Sequence, residues 1–109
     1  MRALLVVLTL LGFVSPALSQ TSTAAGNITM IRTGWFADSF AVVINAPVKN
    51  PASCPTPDGY ISDKTQPGYD TYLRAALAAY TAKRPVVITV SDKTCGPAGR
   101  PTLVGINIL

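Results

Sequence analysis

Cys54 and Cys95 are the only two cysteines of the chain, and each lies in a stretch crowded with proline or glycine. Pro47, Pro51, Pro55 and Pro57 surround Cys54, while Gly96, Pro97, Gly99 and Pro101 follow Cys95. Proline fixes φ and removes a donor N–H, so the first stretch reads as a surface loop and the second, from Asp92 to Pro101, as a turn-rich connection. An even cysteine count leaves no orphan thiol, and an exported chain meets an oxidising compartment, so one Cys54–Cys95 disulfide is expected. The chain contains no histidine. A metal site would therefore lack ligands to complete it, and a catalytic thiol would lack its usual base.

Export is expected from the other end of the sequence. Met1-Arg2 gives a positive start, Ala3 to Val14 an apolar run, and Ser15-Pro16 a break before the small-x-small pattern Ala17-Leu18-Ser19. This is the layout of a signal peptide over residues 1–19. The apolar run stops after about a dozen residues, whereas a membrane-spanning helix needs about 20. Cleavage before Gln20 would leave a secreted or periplasmic protein with no membrane attachment. About 90 residues would remain, enough for one domain but in a size range where a covalent staple matters.

Beyond the leader, eight Lys and Arg residues stand against five aspartates, a difference of plus three. The cations are scattered, with Lys83-Arg84 the only adjacent pair, whereas nucleic-acid modules gather theirs on one face or run. Nucleic acid is not an expected partner. Without histidine or glutamate, Ser-His-Asp and Cys-His catalysis drop out, and Asp38, Asp58, Asp63, Asp70 and Asp92 are the only side-chain carboxylates. No catalytic residue, metal ligand or cofactor is expected, and the chain reads as a non-enzyme.

The pattern along the chain is mainly β with one helix. Residues 20–26 are small and polar and read as a flexible lead-in to a domain spanning 27–109. Asn27 to Arg32 and Ser39 to Ala46 are strand candidates joined as a hairpin through Gly34 and Asp38, with Tyr60-Ile61-Ser62 as a short third strand. Asp70 to about Lys83 is alanine- and leucine-rich, free of glycine and proline, and halted by Pro85. Tyr72, Leu73, Ala76, Leu77 and Tyr80 recur at three-and-four spacing, predicting one apolar stripe that packs on a sheet. Pro85 to Ser91 and Thr102 to Leu109 complete the strands. The order β-β-β-α-β-β fits a five-stranded Greek-key barrel of the OB-fold type, whose face and loops bind oligosaccharides or oligonucleotides.

Several stretches sharpen that reading: the opening G-N-I-T-M-I, then F-A-V-V-I, P-A-S-C, the helix L-x-A-A-L-x-A-Y leading to K-R-P-V-V-I-T-V, and T-C before a last apolar strand. Together they resemble small secreted bacterial proteins similar to the subtilase cytotoxin B subunit. The resemblance spans Gly26 to Leu109. It implies a non-catalytic binding or assembly module, a glycan as ligand, a homo-oligomeric ring, and a larger exported partner protein. The alternative is a periplasmic structural or protein-interaction domain without glycan binding, pairing through the final strand.

Two clusters supply candidate ligand-binding residues. In the first hairpin loop, Trp35 and Phe36 offer aromatic faces to a sugar ring and Asp38 a carboxylate to its hydroxyls. Aromatics in the loops of small domains also serve as plugs for the end of a core. Around the turn into the helix, Tyr60, Asp63, Tyr69, Asp70 and Tyr72 form a second polar-aromatic set, in which Asp63 and Tyr69 are least accounted for by turn and helix chemistry.

Overall fold

A computed structural model describes residues 20–34 and 37–109. The leader expected over residues 1–19, and Trp35 and Phe36, lie outside the described residues. Six strands and one helix follow one another as β1 (Gln20–Ser22), β2 (Gly26–Thr33), β3 (Ser39–Ile44), β4 (Tyr60–Asp63), α1 (Tyr69–Ala82), β5 (Pro85–Cys95) and β6 (Pro101–Ile108). One 3₁₀ turn, Pro97–Gly99, lies between the last two strands.

Antiparallel pairing joins β2 to β3, β3 to β4, β6 to β5, and the start of β2 back to β5. A single parallel bridge, Ile61 opposite Thr102, links β4 to β6. The circuit β2–β3–β4–β6–β5 therefore closes on itself, with the helix inserted in the chain between β4 and β5. This is the five-stranded OB-fold barrel.

Alternation within the strands fills the interior. Phe40, Val42 and Ile44 of β3, Tyr60 of β4, Val86, Ile88 and Val90 of β5, and Leu103 of β6 form one buried cluster. Full burial of each large apolar side chain is worth about 1.5–3 kcal/mol against exposure. Ala41 and Ile61, paired on the opposite face of the same strands, are also fully buried. The cover comes from the β5–β6 connection, where a Cβ on Gly96 would stand 2.4 Å from Ile61 Cγ2.

The disulfide Cys54–Cys95 holds that connection, with Cα atoms 5.7 Å apart and a sequence separation of 41. Asn50 shapes the other side, its amide accepting from Cys54 N–H at 2.8 Å and donating to Cys54 O at 2.9 Å. Thr56 N–H donates to Gly99 O at 2.9 Å and continues the seam. Gly99 has φ 72°, and a Cβ there would lie 2.7 Å from Pro55 Cγ, so only glycine fits. Strand β5 runs on to Cys95, past the expected end at Ser91, because Cys95 still pairs with Pro101 across the register.

Two local differences from the sequence reading have physical causes. Within the segment 20–26, expected to be a flexible lead-in, residues 20–22 form a strand: Gln20, Thr21 and Ser22 lie opposite Ser91, Val90 and Thr89. Its anchors are polar, with Thr23 N–H donating to Ile88 O at 2.8 Å and Ile88 N–H donating to Thr23 Oγ1 at 3.1 Å. A hydrophobicity pattern carries no trace of such bonds. Second, the apolar stripe of α1 is shifted. Tyr69, Tyr72, Leu73, Ala76 and Ala79 pack on the barrel, whereas Leu77 and Tyr80 stay 47% and 48% exposed. Small Ala76 and Ala79 let the helix approach closely, and Leu77 lies about 100° around the helix from Ala76, off the contact arc. Strand β6 pairs with β4 through one bridge only, so carbonyls on that side need other donors. Gln66 Nε2 donates to Leu103 O at 3.1 Å and Tyr72 Oη to Val104 O at 2.9 Å.

Candidate functional site

Asp38, from the first residue cluster singled out in the sequence, and Asp63 and Tyr69, from the second, come together at one end of the barrel. Register brings them there, because Ser39, the first residue of β3, lies opposite Asp63, the last of β4. Gly34 leaves β2 with φ 112°, a conformation suited to glycine, and Ser39 Oγ donates to Gly34 O at 2.7 Å across the loop. Trp35 and Phe36 belong to this same β2–β3 connection.

On the neighbouring connection, Asp63 opens the turn into the helix. Its carboxylate accepts from Thr65 N–H at 2.8 Å and from the Thr65 hydroxyl, while Gln66 Oε1 accepts from Asp63 N–H at 3.3 Å. This is an aspartate-nucleated turn. Lys64, which follows, joins the two connections: its N–H donates to Asp38 O at 3.0 Å and its ammonium lies 3.3 Å from Asp38 Oδ2. Both partners of that ion pair are largely exposed, so the pair orients more than it stabilises.

Tyr69 begins α1 with its ring packed on Phe40, centroids 5.6 Å apart. Partial burial raises the phenol pKa above its ordinary value, and the charges of Asp38 and Asp70 raise it further, offset by Lys64. Register and the Lys64–Asp38 contacts group Asp38, Asp63 and Lys64, and their charges, with that of Asp70, act on the Tyr69 phenol. The rim combines carboxylate acceptors, a phenol and one ammonium, a set able to hydrogen-bond a polyhydroxylated ligand. Tyr60 is not part of it. Its hydroxyl accepts from Lys49 N–H at 2.9 Å, and its ring belongs to the core. Among the described residues no cluster of His, Cys, Asp and Glu is arranged to hold a metal ion.

A second polar site escaped the sequence reading. Arg100, only 5% exposed, directs Nε to Asp58 Oδ1 at 2.6 Å and an Nη to Asp58 Oδ2 at 3.3 Å. Arg32 adds Nη1 at 3.3 Å from Asp58 Oδ2. The Arg100 hydrogen bond holds the Asp58 carboxyl below the usual carboxylate range against the opposing effect of desolvation, and Arg32 helps. Asp58 looks like an ordinary turn aspartate in sequence, and nothing there links it to an arginine 42 residues away.

The fold and rim define a class: a small disulfide-linked OB barrel that carries a polar-aromatic rim. No family model, curated protein or solved structure matches the chain.

Proposed function

We propose that this chain is an exported, non-catalytic binding module that recognises a glycan through the rim formed by the β2–β3 and β4–α1 connections. The observation that carries the reading is the convergence of Asp38, Asp63 and Tyr69, drawn from two separate loops, around one ion pair. Carboxylates and a phenol serve sugar hydroxyls, and the adjoining Trp35-Phe36 dipeptide supplies the residue types that stack on sugar faces. The likeness of its motifs to the subtilase cytotoxin B subunit supports the same reading and adds a homo-oligomeric ring and a larger exported partner to it.

The test is glycan-array binding of the oxidised protein, with its mass measured by light scattering on the same sample. Selective binding that is lost in Trp35→Ala and in Tyr69→Phe, both still folded by circular dichroism, supports the reading. A folded protein that retains no glycan, or binds equally well after both substitutions, overturns it.

A second reading, a protein-interaction domain pairing through its final strand, draws on one specific feature. Past Val104 the outer side of β6 ends in Ile108 and Leu109, which are 44% and 49% exposed. A defined oligomer that dissociates in Ile108→Asp, with no glycan bound, would favour this reading.

A further inference from the structure

At the opposite end of α1 from the rim, a half-open groove of about 590 Å³ runs between the end of the helix and the start of β2. Ile28 and Ala79, both buried, line it together with Asn27, Tyr80, Thr81, Lys83 and Arg84. Its volume lies within the range of small-molecule sites, which combine an apolar floor with a few converging polar groups.

Tyr80 is the first anomaly. Helical spacing assigns it to the buried stripe, yet 48% of it is exposed and it lines the groove. The two cations are the second. Basic residues at a helix end usually serve its terminal carbonyls. Here backbone N–H groups already do so, Lys83 N–H donating to Tyr80 O at 3.3 Å and Arg84 N–H to Ala79 O at 2.9 Å. Lys83 adopts the left-handed conformation at φ 55° to close this cap. Its ammonium makes no ion pair among the described residues, and Arg84 uses only Nε, on Leu109 O at 2.8 Å. The groove lining contains two cations and no acid.

We infer that this groove is a binding site for a hydroxylated ring that bears a carboxylate, a uronic-acid type of sugar residue. The Tyr80 ring takes the flat face of the ligand, Asn27 and Thr81 meet its hydroxyls, and Lys83 with the free Nη groups of Arg84 holds its carboxylate. A neutral sugar leaves the two cations unused, and an inorganic anion leaves the ring and floor unused. The site is separate from the acid-rich rim, and its charge selects ligands of opposite character.

The test is a titration of the ¹⁵N-labelled protein with sodium glucuronate, followed by amide chemical shifts, with glucose as the neutral control. Saturable shifts are expected at Asn27, Ile28, Thr81 and Arg84 with glucuronate and not with glucose. Lys83→Gly keeps the left-handed cap and removes the ammonium, and it should weaken glucuronate binding about tenfold. Tyr80→Ala should weaken it too, whereas Lys93→Ala, which removes an exposed cation outside the groove, should leave it unchanged. Absence of saturation, equal response to glucose, or full affinity in Lys83→Gly would overturn the assignment, and each result is independent of glycan binding at the rim.

Discussion

Removing the Cys54–Cys95 bridge is the perturbation whose size follows most directly from the structure. The bridge spans 41 residues of sequence, and closing a loop of that length lowers the entropy of the unfolded chain by an amount worth about 4 kcal/mol. A domain of this size has a total stability of about 5–13 kcal/mol, so the bridge is a large part of the margin. The native seam does not depend on sulfur alone, since Asn50 still brackets Cys54 and Thr56 still reaches Gly99. Reduction should therefore act mainly on the unfolded state and leave the native fold in place. Urea unfolding followed by tryptophan fluorescence would compare the oxidised protein, the reduced protein and the double variant Cys54→Ala/Cys95→Ala. With a slope of about 1–1.5 kcal/mol per molar urea, the midpoint should fall by about 3–4 M, in the reduced protein and double variant alike. A fall below about 1 M in both would refute the loop-entropy argument and assign the stability to the polar contacts around the bridge.

Other perturbations address single contacts. Asp58 has a folded-state pKa below its unfolded value, so its contribution is present above the unfolded pKa and is lost as pH falls through the folded one. Stability to urea should thus drop as pH is lowered from about 5 toward 2, and Asp58→Asn should flatten that part of the profile. Gly96→Ala places a methyl group 2.4 Å from Ile61 Cγ2 and should cost about 1–3 kcal/mol, read as a lower urea midpoint with unchanged slope. Tyr72→Phe deletes the bond to Val104 O and should cost about 1 kcal/mol by the same assay, with faster amide exchange in β6. An unchanged midpoint would remove that bond from the account of how the barrel closes.

What the sequence makes legible is what hydrophobic period and chain breakers encode. β3 and β5 are β-branched runs bounded by turn residues, α1 is bounded by Pro85, and the cysteine pairing follows from there being only two. What it hides is long-range and polar. Nothing in the segment 20–22 marks it as a strand, because its partner lies 67 to 71 residues away and its side-chain bonds join Ser22 to Thr89 and Thr21 to Asp92. Arg100 reads as a surface cation until Asp58 is set beside it. Asp38 and Asp63 are visible as loop residues, but only the Ser39–Asp63 register and the reach of Lys64 put them on one rim. Leu77 and Tyr80 mislead for the opposite reason, since spacing reports a stripe but not where alanines let the helix settle.

The donors that Gln66 and Tyr72 lend to Leu103 and Val104 tie the accessibility of β6 to the integrity of the helix. A foreign strand seeking to zip alongside β6 must first evict both side chains, and Tyr72 is anchored within α1 itself. Melting the helix and unmasking the strand are therefore one event. Heat, acid or a protease that frays the first turns of α1 would expose an adhesive edge. Fibrillar aggregation should then follow loss of helical signal rather than precede it, with β6 protected from hydrogen exchange until that moment.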